Sequence, residues 1–120
     1  MTERVVVITT DNNVEIRELE IKDDSMLDGL QEIVGGYIEI VHPMNLRGLE
    51  MIVNEEGVLL DIPVNIIASL LYGAPGHGNF IFGDVAICDH GYRNGEPDLE
   101  GLSPDLAREI VDYLSQICVI

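Results

Sequence analysis

The sequence predicts an α+β fold: a β-grasp-like mixed sheet (hairpin, helix, two strands, short helix, strand) followed by a C-terminal amphipathic helix. Three observations point there. In LQEIVGGYIEIV, residues 30–41, apolar side chains fall at helical spacing before two glycines and alternate after them. Val5 to Thr9 is apolar and β-branched, and a turn cluster separates it from a second strand-like stretch. Ser103-Pro104 precedes a helical stripe of Leu106, Ala107, Ile110, Val111, Leu114 and Ile117. A length of 120 residues with 47% hydrophobic content implies one α+β domain over 1–120, with a single core.

The elements follow in order. Asp11-Asn12-Asn13 makes the first turn, because Asn and Asp tolerate left-handed backbone. Val14, Ile16, Leu19 and Ile21 form the return strand, and the slip in alternation between 16 and 19 suggests a bulge. Met26, Leu27, Leu30, Ile33 and Val34 form a helix with Ser25 as N-cap and Asp28 in its first turn. Gly35 is its left-handed C-cap, and a strand opens at Tyr37 and ends at His42-Pro43. Leu49 to Val53 is the next strand, then a turn at Asn54-Glu55-Glu56-Gly57 and an extended run over 58–60. Val64 to Tyr72 reads as a short helix buried on several sides, able to meet a second subunit. Residues 73–79 are a breaker-rich loop, Phe80 to Cys88 a bent strand or strand pair, and 89–102 a second loop. A small barrel closed by the Phe80–Cys88 segment is the alternative arrangement.

Charge narrows the function. There are 22 acidic and 6 basic residues, net −16, with Lys22 the only lysine. Such a surface repels phosphate arrays and anionic lipid, which argues against direct nucleic-acid or membrane binding. It leaves a generally acidic protein, an acidic face for a basic partner, or an imitation of the DNA phosphate array. Cys88 and Cys118 form no CxxC, no signal peptide is evident, and no apolar run approaches membrane-spanning length. A reduced cytoplasmic setting is expected, with both thiols packed as small apolar groups.

VGGYIE, NEEG (Asn54 to Gly57), LLDIPVNIIASLLYG (Leu59 to Gly73) and IFGDVAI (Ile81 to Ile87) occur in an order that resembles a family of small uncharacterised domains of phages, plasmids and other mobile elements. The resemblance covers about residues 25–90 and stops short of the terminal helix. It implies a dispensable accessory or counter-defence role and supplies no catalytic residues.

Candidate sites were weighed on chemistry. The glycine doublet follows a helix, so the negative end of the helix dipole faces it, and capping explains it better than phosphate binding. Asp84, Cys88, Asp89 and His90, with His77, lack the recurring spacing of a zinc site, so no metal and no cofactor are expected. Asp61 and Asp84 interrupt apolar runs and are the carboxylates expected to be partly buried; Asp84 is expected to bond its own turn. No serine sits in a nucleophile-elbow context, and no catalytic residue is assigned. The segment Asp89 to Gly95 offers a ring, a cation and an amide for a nucleotide-like ligand: Tyr92, Arg93 and Asn94, with His77, Asn79 and Arg47 completing the site. The leading expectation is a non-enzymatic protein that sequesters a small anionic ligand. The alternative is an acidic interaction module or DNA mimic binding a basic host protein. A metal-dependent hydrolase built on His77, Asp84 and His90 ranks last.

Overall fold

A computed structural model gives the fold; residues 1–46, 48–57, 61–73, 80–93 and 95–117 are described. The expected extended run at 58–60 lies outside them, as do loop residues 74–79 and Cys118.

β1 (Thr2–Ile8) and β2 (Val14–Glu20) pair antiparallel around a turn in which Asn12 adopts φ 66°. Their register runs unbroken from Thr2 opposite Glu20 to Ile8 opposite Val14, so the bulge expected in β2 is absent. The slip in the β2 pattern has another cause. Val14 packs toward one face of the sheet and Leu19 toward the other, so the strand carries apolar residues of both parities.

α1 (Leu27–Val34) starts one residue later than a Ser25 cap would place it: the N-cap is Met26. Ser25 Oγ instead accepts the Leu27 N–H at 3.0 Å, just upstream of the usual capping position. Gly35 ends the helix as expected, at φ 81°, and its N–H donates to Gln31 O. β3 (Ile38–Val41) and β4 (Glu50–Asn54) then form an antiparallel pair. α2 (Ile66–Tyr72) is capped by Asn65, whose side chain accepts the Ala68 N–H at 3.0 Å.

β5 (Val85–Arg93) and β6 (Glu96–Glu100) replace the loop expected over 89–102. They pair from Asp89 opposite Glu100 to Arg93 opposite Glu96, and Gly95 takes φ 80° between them. Backbone pairing, with Leu99 packed against the α1-face core, holds this hairpin arm; its side chains lack the apolar alternation that would announce it. α3 (Pro104–Ile117) begins as the sequence predicts, with Ser103 Oγ accepting the Leu106 N–H at 3.1 Å.

The sheet order is β2-β1-β5-β4-β3, with β6 beside the outer half of β5. The α+β class, the element order and the terminal helix agree with expectation; the pairing does not, being antiparallel throughout the described sheet instead of mixed. The excursion between β4 and β5 explains this. Val64 bridges Phe82 antiparallel and the Asn65 N–H donates to Ile81 O, so the chain doubles back around α2. β5 therefore runs against both neighbours. β2 and β3 remain edges, so the sheet is open and the barrel alternative is excluded.

Both faces of the sheet are covered. Val6, Ile8, Met51, Val53, Val85 and Ile87 pack with α2 and α3 residues such as Leu71, Ile110 and Leu114. Val5, Val7, Ile52, Ala86 and Cys88 pack under Leu30 and Val34 of α1. This three-layer arrangement explains why Val5 to Ile8 are all buried. Asn65 is fully buried at the centre and donates to Ile8 O and Gly83 O, both at 2.9 Å, tying β1, the cap of α2 and the Gly83 bend together.

Candidate functional site

Strand parity decides which side chains can meet. On the α1 face, the β4–β5 register sets Glu50 opposite Cys88, and His90 follows two residues on. Continuing the β3–β4 register one step past Val41 opposite Met51 sets His42 opposite Glu50. Asn54, at the far end of β4, donates to Val34 O at the close of α1. Glu50 lies at the other end of that strand.

There the two imidazoles flank one carboxylate. His42 Nδ1 lies 3.0 Å from Glu50 Oε2, and His90 Nδ1 lies 3.4 Å from Glu50 Oε1 and 3.8 Å from Asp89 Oδ1. The Glu50 side chain is only 13% exposed, whereas those of His42 and His90 are 79% and 55% exposed. Glu50 Oε2 is buried and has no aligned hydrogen-bond donor among the described residues. His42, Glu50 and His90 open onto a depression of about 440 Å³ floored by Pro43, Met44 and Leu49. Beneath them the buried Cys88 thiol is pushed up to about 12, by desolvation first and then by the charges of Glu50 and Asp89. It is an inert thiol at neutral pH.

A second concavity, of about 250 Å³, lies on the α2 face beside edge strand β3. Tyr72, Phe80 and Phe82 supply its aromatic surface, and Glu39, Glu55 and Glu56 its carboxylates. No Lys or Arg is among its described lining residues. Phe80 is 59% exposed. Ile66 and Leu70, one turn apart on α2, are also about half exposed, so the helix expected to be buried on several sides presents an apolar outer face.

The residues anticipated for an anionic ligand fare differently. Tyr92 stands at the end of the β5–β6 hairpin and is 79% exposed. Arg47, His77, Asn79 and Asn94 lie outside the described residues, as does the Arg93 side chain. Asp84 does not bond its own turn: its Oδ1 accepts the Thr10 N–H at 3.0 Å, joining the β1–β2 turn to the start of β5. Asp61, expected to be partly buried, is exposed and sits at φ 56°. Of the residues grouped with His90 in the sequence, Asp89 does lie beside it, at 3.8 Å, while Asp84 bonds the Thr10 N–H instead. His42 and Glu50 were legible only through the β3–β4 register, a signal that spacing along the chain does not carry.

Over residues 1–115 the sequence matches the family described as Domain of unknown function (DUF3846). The chain belongs to that family. The match takes in the first hairpin and most of α3, well beyond the 25–90 span of the resemblance noted from the motifs. No curated protein matches it in sequence. Among solved structures, the crystal structure of small RNA methyltransferase HEN1 contains a similar fold, with a TM-score of 0.63 and 19% identity. That likeness covers 100% of this DUF3846 chain but 18% of the methyltransferase chain, and at this identity it is a likeness of fold alone. No helix among the described residues is long and apolar enough to cross a membrane.

Proposed function

We propose that this domain is a non-enzymatic interaction module that binds a basic segment of a partner protein through the groove beside β3. The observation that supports this most directly is the lining of that groove: three aromatic rings and three carboxylates, with no Lys or Arg among the described lining residues. A Lys or Arg side chain is attracted to ring faces and to carboxylates together, and each cation–π contact contributes about 0.5–2 kcal/mol. The exposed apolar pair Ile66 and Leu70 offers further contact area on the same layer of the fold. Self-association through that face works against a net charge of −16 on each copy, whereas a cationic partner is steered toward it. In the setting suggested by the motif resemblance, the role is that of an accessory or counter-defence protein of a mobile element.

The test is fluorescence anisotropy with a labelled arginine-rich peptide at low and high salt. Binding that weakens with salt, and that falls about tenfold in Phe80→Ala or in Glu39→Gln/Glu55→Gln/Glu56→Gln, supports the reading. Binding of equal strength in those variants overturns it.

A second reading, sequestration of a small nucleotide-like anion, draws support from Tyr92, whose exposed ring offers a stacking platform. It predicts a thermal shift with a nucleotide that is lost in Tyr92→Ala. The carboxylates Asp89, Glu96, Asp98 and Glu100 on the same hairpin weigh against it.

A further inference from the structure

We propose that the partner segment binds as an added antiparallel strand on the open edge of β3, and that it is an extended stretch in which basic and apolar residues alternate. This deepens the groove reading above and rests on it.

The phase of the backbone decides which groups of β3 are free. The Glu55 N–H donates to Tyr37 O at 2.9 Å. The β3–β4 register, continued one step beyond Ile38 opposite Asn54, sets those two residues opposite each other. They are therefore a hydrogen-bonded pair, and such pairs alternate along an antiparallel ladder. Tyr37, Glu39 and Val41 thus turn their N–H and C=O groups toward β4, while Ile38 and Ile40 turn theirs away from it. Among the described residues no strand pairs with that outer side.

The opposite edge of the sheet is guarded. β2 carries Glu15, Arg17, Glu18 and Glu20, with ion pairs joining Arg17 to Glu15 and Arg4 to Glu18. Charges along an edge strand discourage the addition of another strand. β3 reads Ile38, Glu39, Ile40, Val41, with a single charge.

That charge and the parity of the strand set the chemistry of the occupant. A residue placed opposite Glu39 projects to the same face, over the aromatic groove. On its outer side Glu39 is a non-hydrogen-bonded position, where opposed Cα atoms approach to about 4.5 Å. A Lys or Arg there meets the Glu39 carboxylate directly, and Tyr72 and Phe80 line the same groove. Residues opposite Ile38 and Ile40 project instead to the α1 face. Ile40 is 45% exposed there and offers an apolar neighbour to a Val or Ile. A second copy brings a net charge of −16 against −16, so a cationic strand is the favoured occupant.

The probe is a blocked, fluorescent peptide alternating arginine and valine, long enough to cover the four residues of β3. Anisotropy measures its binding, and amide exchange of the full chain is followed by NMR. In the added strand the valines exchange backbone bonds with Ile38 and Ile40, and the arginine N–H groups point to solvent. N-methylation of the valines is expected to weaken binding at least about tenfold, and N-methylation of the arginines to leave it within about twofold. The peptide slows exchange at Ile38 and Ile40, while Glu39 and Val41, already bonded to β4, change little. Ile40→Pro removes an outward N–H and none of the β4 ladder, and is expected to weaken binding about tenfold. The exchange measurement uses the unaltered chain, so the test stands even if that variant fails to fold. Equal effects of the two methylations, or unchanged exchange at Ile38 and Ile40, would overturn the added strand. The groove reading survives either result if Phe80→Ala still weakens binding, and falls separately if it does not. Slow exchange of both amides in a peptide-free dimer would assign the edge to a second copy and also overturn the proposal.

Discussion

Asn65→Ala is expected to be the most damaging polar substitution in this fold. The side chain is fully buried and makes three hydrogen bonds: it accepts the Ala68 N–H at 3.0 Å and donates to Ile8 O and Gly83 O at 2.9 Å each. Loss of the helix cap costs about 1 kcal/mol. The two carbonyls lose their side-chain donor in a site closed to water, at about 1–3 kcal/mol for a group left unsatisfied. The total loss is about 3–7 kcal/mol, against a whole-domain stability of about 5–15 kcal/mol. Urea unfolding followed by circular dichroism reads it as a lowered midpoint with an unchanged slope. Asn65→Asp separates the contributions. It keeps the cap acceptor but aims a carboxylate at two carbonyl oxygens, so it should be at least as destabilising as Ala. A loss below about 1 kcal/mol in Asn65→Ala would refute the claim that this amide ties β1, α2 and the Gly83 bend together.

Two further predictions follow from local geometry. Gly35→Ala is expected to cost about 1–2 kcal/mol in thermal unfolding, because φ 81° is unfavourable for a residue with Cβ while nothing crowds the position; Gly35→Asn should recover part of it. A cost near zero for Gly35→Ala would show that the helix end tolerates another conformation. Cys88, in a Cys118→Ser background, is expected to resist thiol reagents until the protein unfolds. Its thiol is raised from an ordinary 9.0 to about 12, so its contribution to stability is complete below pH 9 and is lost between pH 9 and about 12. The loss approaches about 1.4 kcal/mol per pH unit, and Cys88→Ala removes that slope. Rapid labelling of the folded protein at neutral pH would contradict the burial argument.

The elements legible in the sequence are those whose signal is local. α1 and α3 announce themselves through helical stripes and through Gly35 and Ser103 at their ends. β1 is legible because Val5 to Ile8 are all apolar, but what that meant, helices on both faces, required knowing that α3 returns over the sheet. Asp89 to Glu100 reads as a loop because it is glycine-rich and acidic; its two strands are joined mainly by backbone bonds, which require no particular side chains, with Leu99 their one contact to the α1-face core among the described residues. Asn65 carried no sign of its role: a polar residue before an apolar run reads equally as a cap or as a solvent-facing position. The side chains gathered around Glu50 are harder still to read, since His42 lies eight residues before it and His90 forty after it, and they meet only through the register of three strands.

That register also keeps the chemistry of the two faces apart. Residues of β3 and β4 alternate between faces, so Glu39, Val41 and Val53 line the aromatic groove while His42, Glu50 and Ile52 belong to the α1 side. A slip of one residue in β4 would exchange Glu50 with Met51, burying a carboxylate in the α2 layer and sending a core methionine to the histidines. Burying an unpaired carboxylate is prohibitive. Asn54, which donates to Val34 O at 3.0 Å and accepts the Glu56 N–H at 2.7 Å, anchors the opposite end of β4 against the same slip. Capture of a cationic segment should therefore be insensitive to mutation of Glu50 on the α1 face. Glu50→Gln leaves the groove's aromatic and acidic lining untouched, and Phe80→Ala leaves the imidazoles untouched. If Glu50→Gln abolished capture of the cationic segment, the two faces would have to be coupled through the sheet, and the assignment of that capture to the α2 layer would fail.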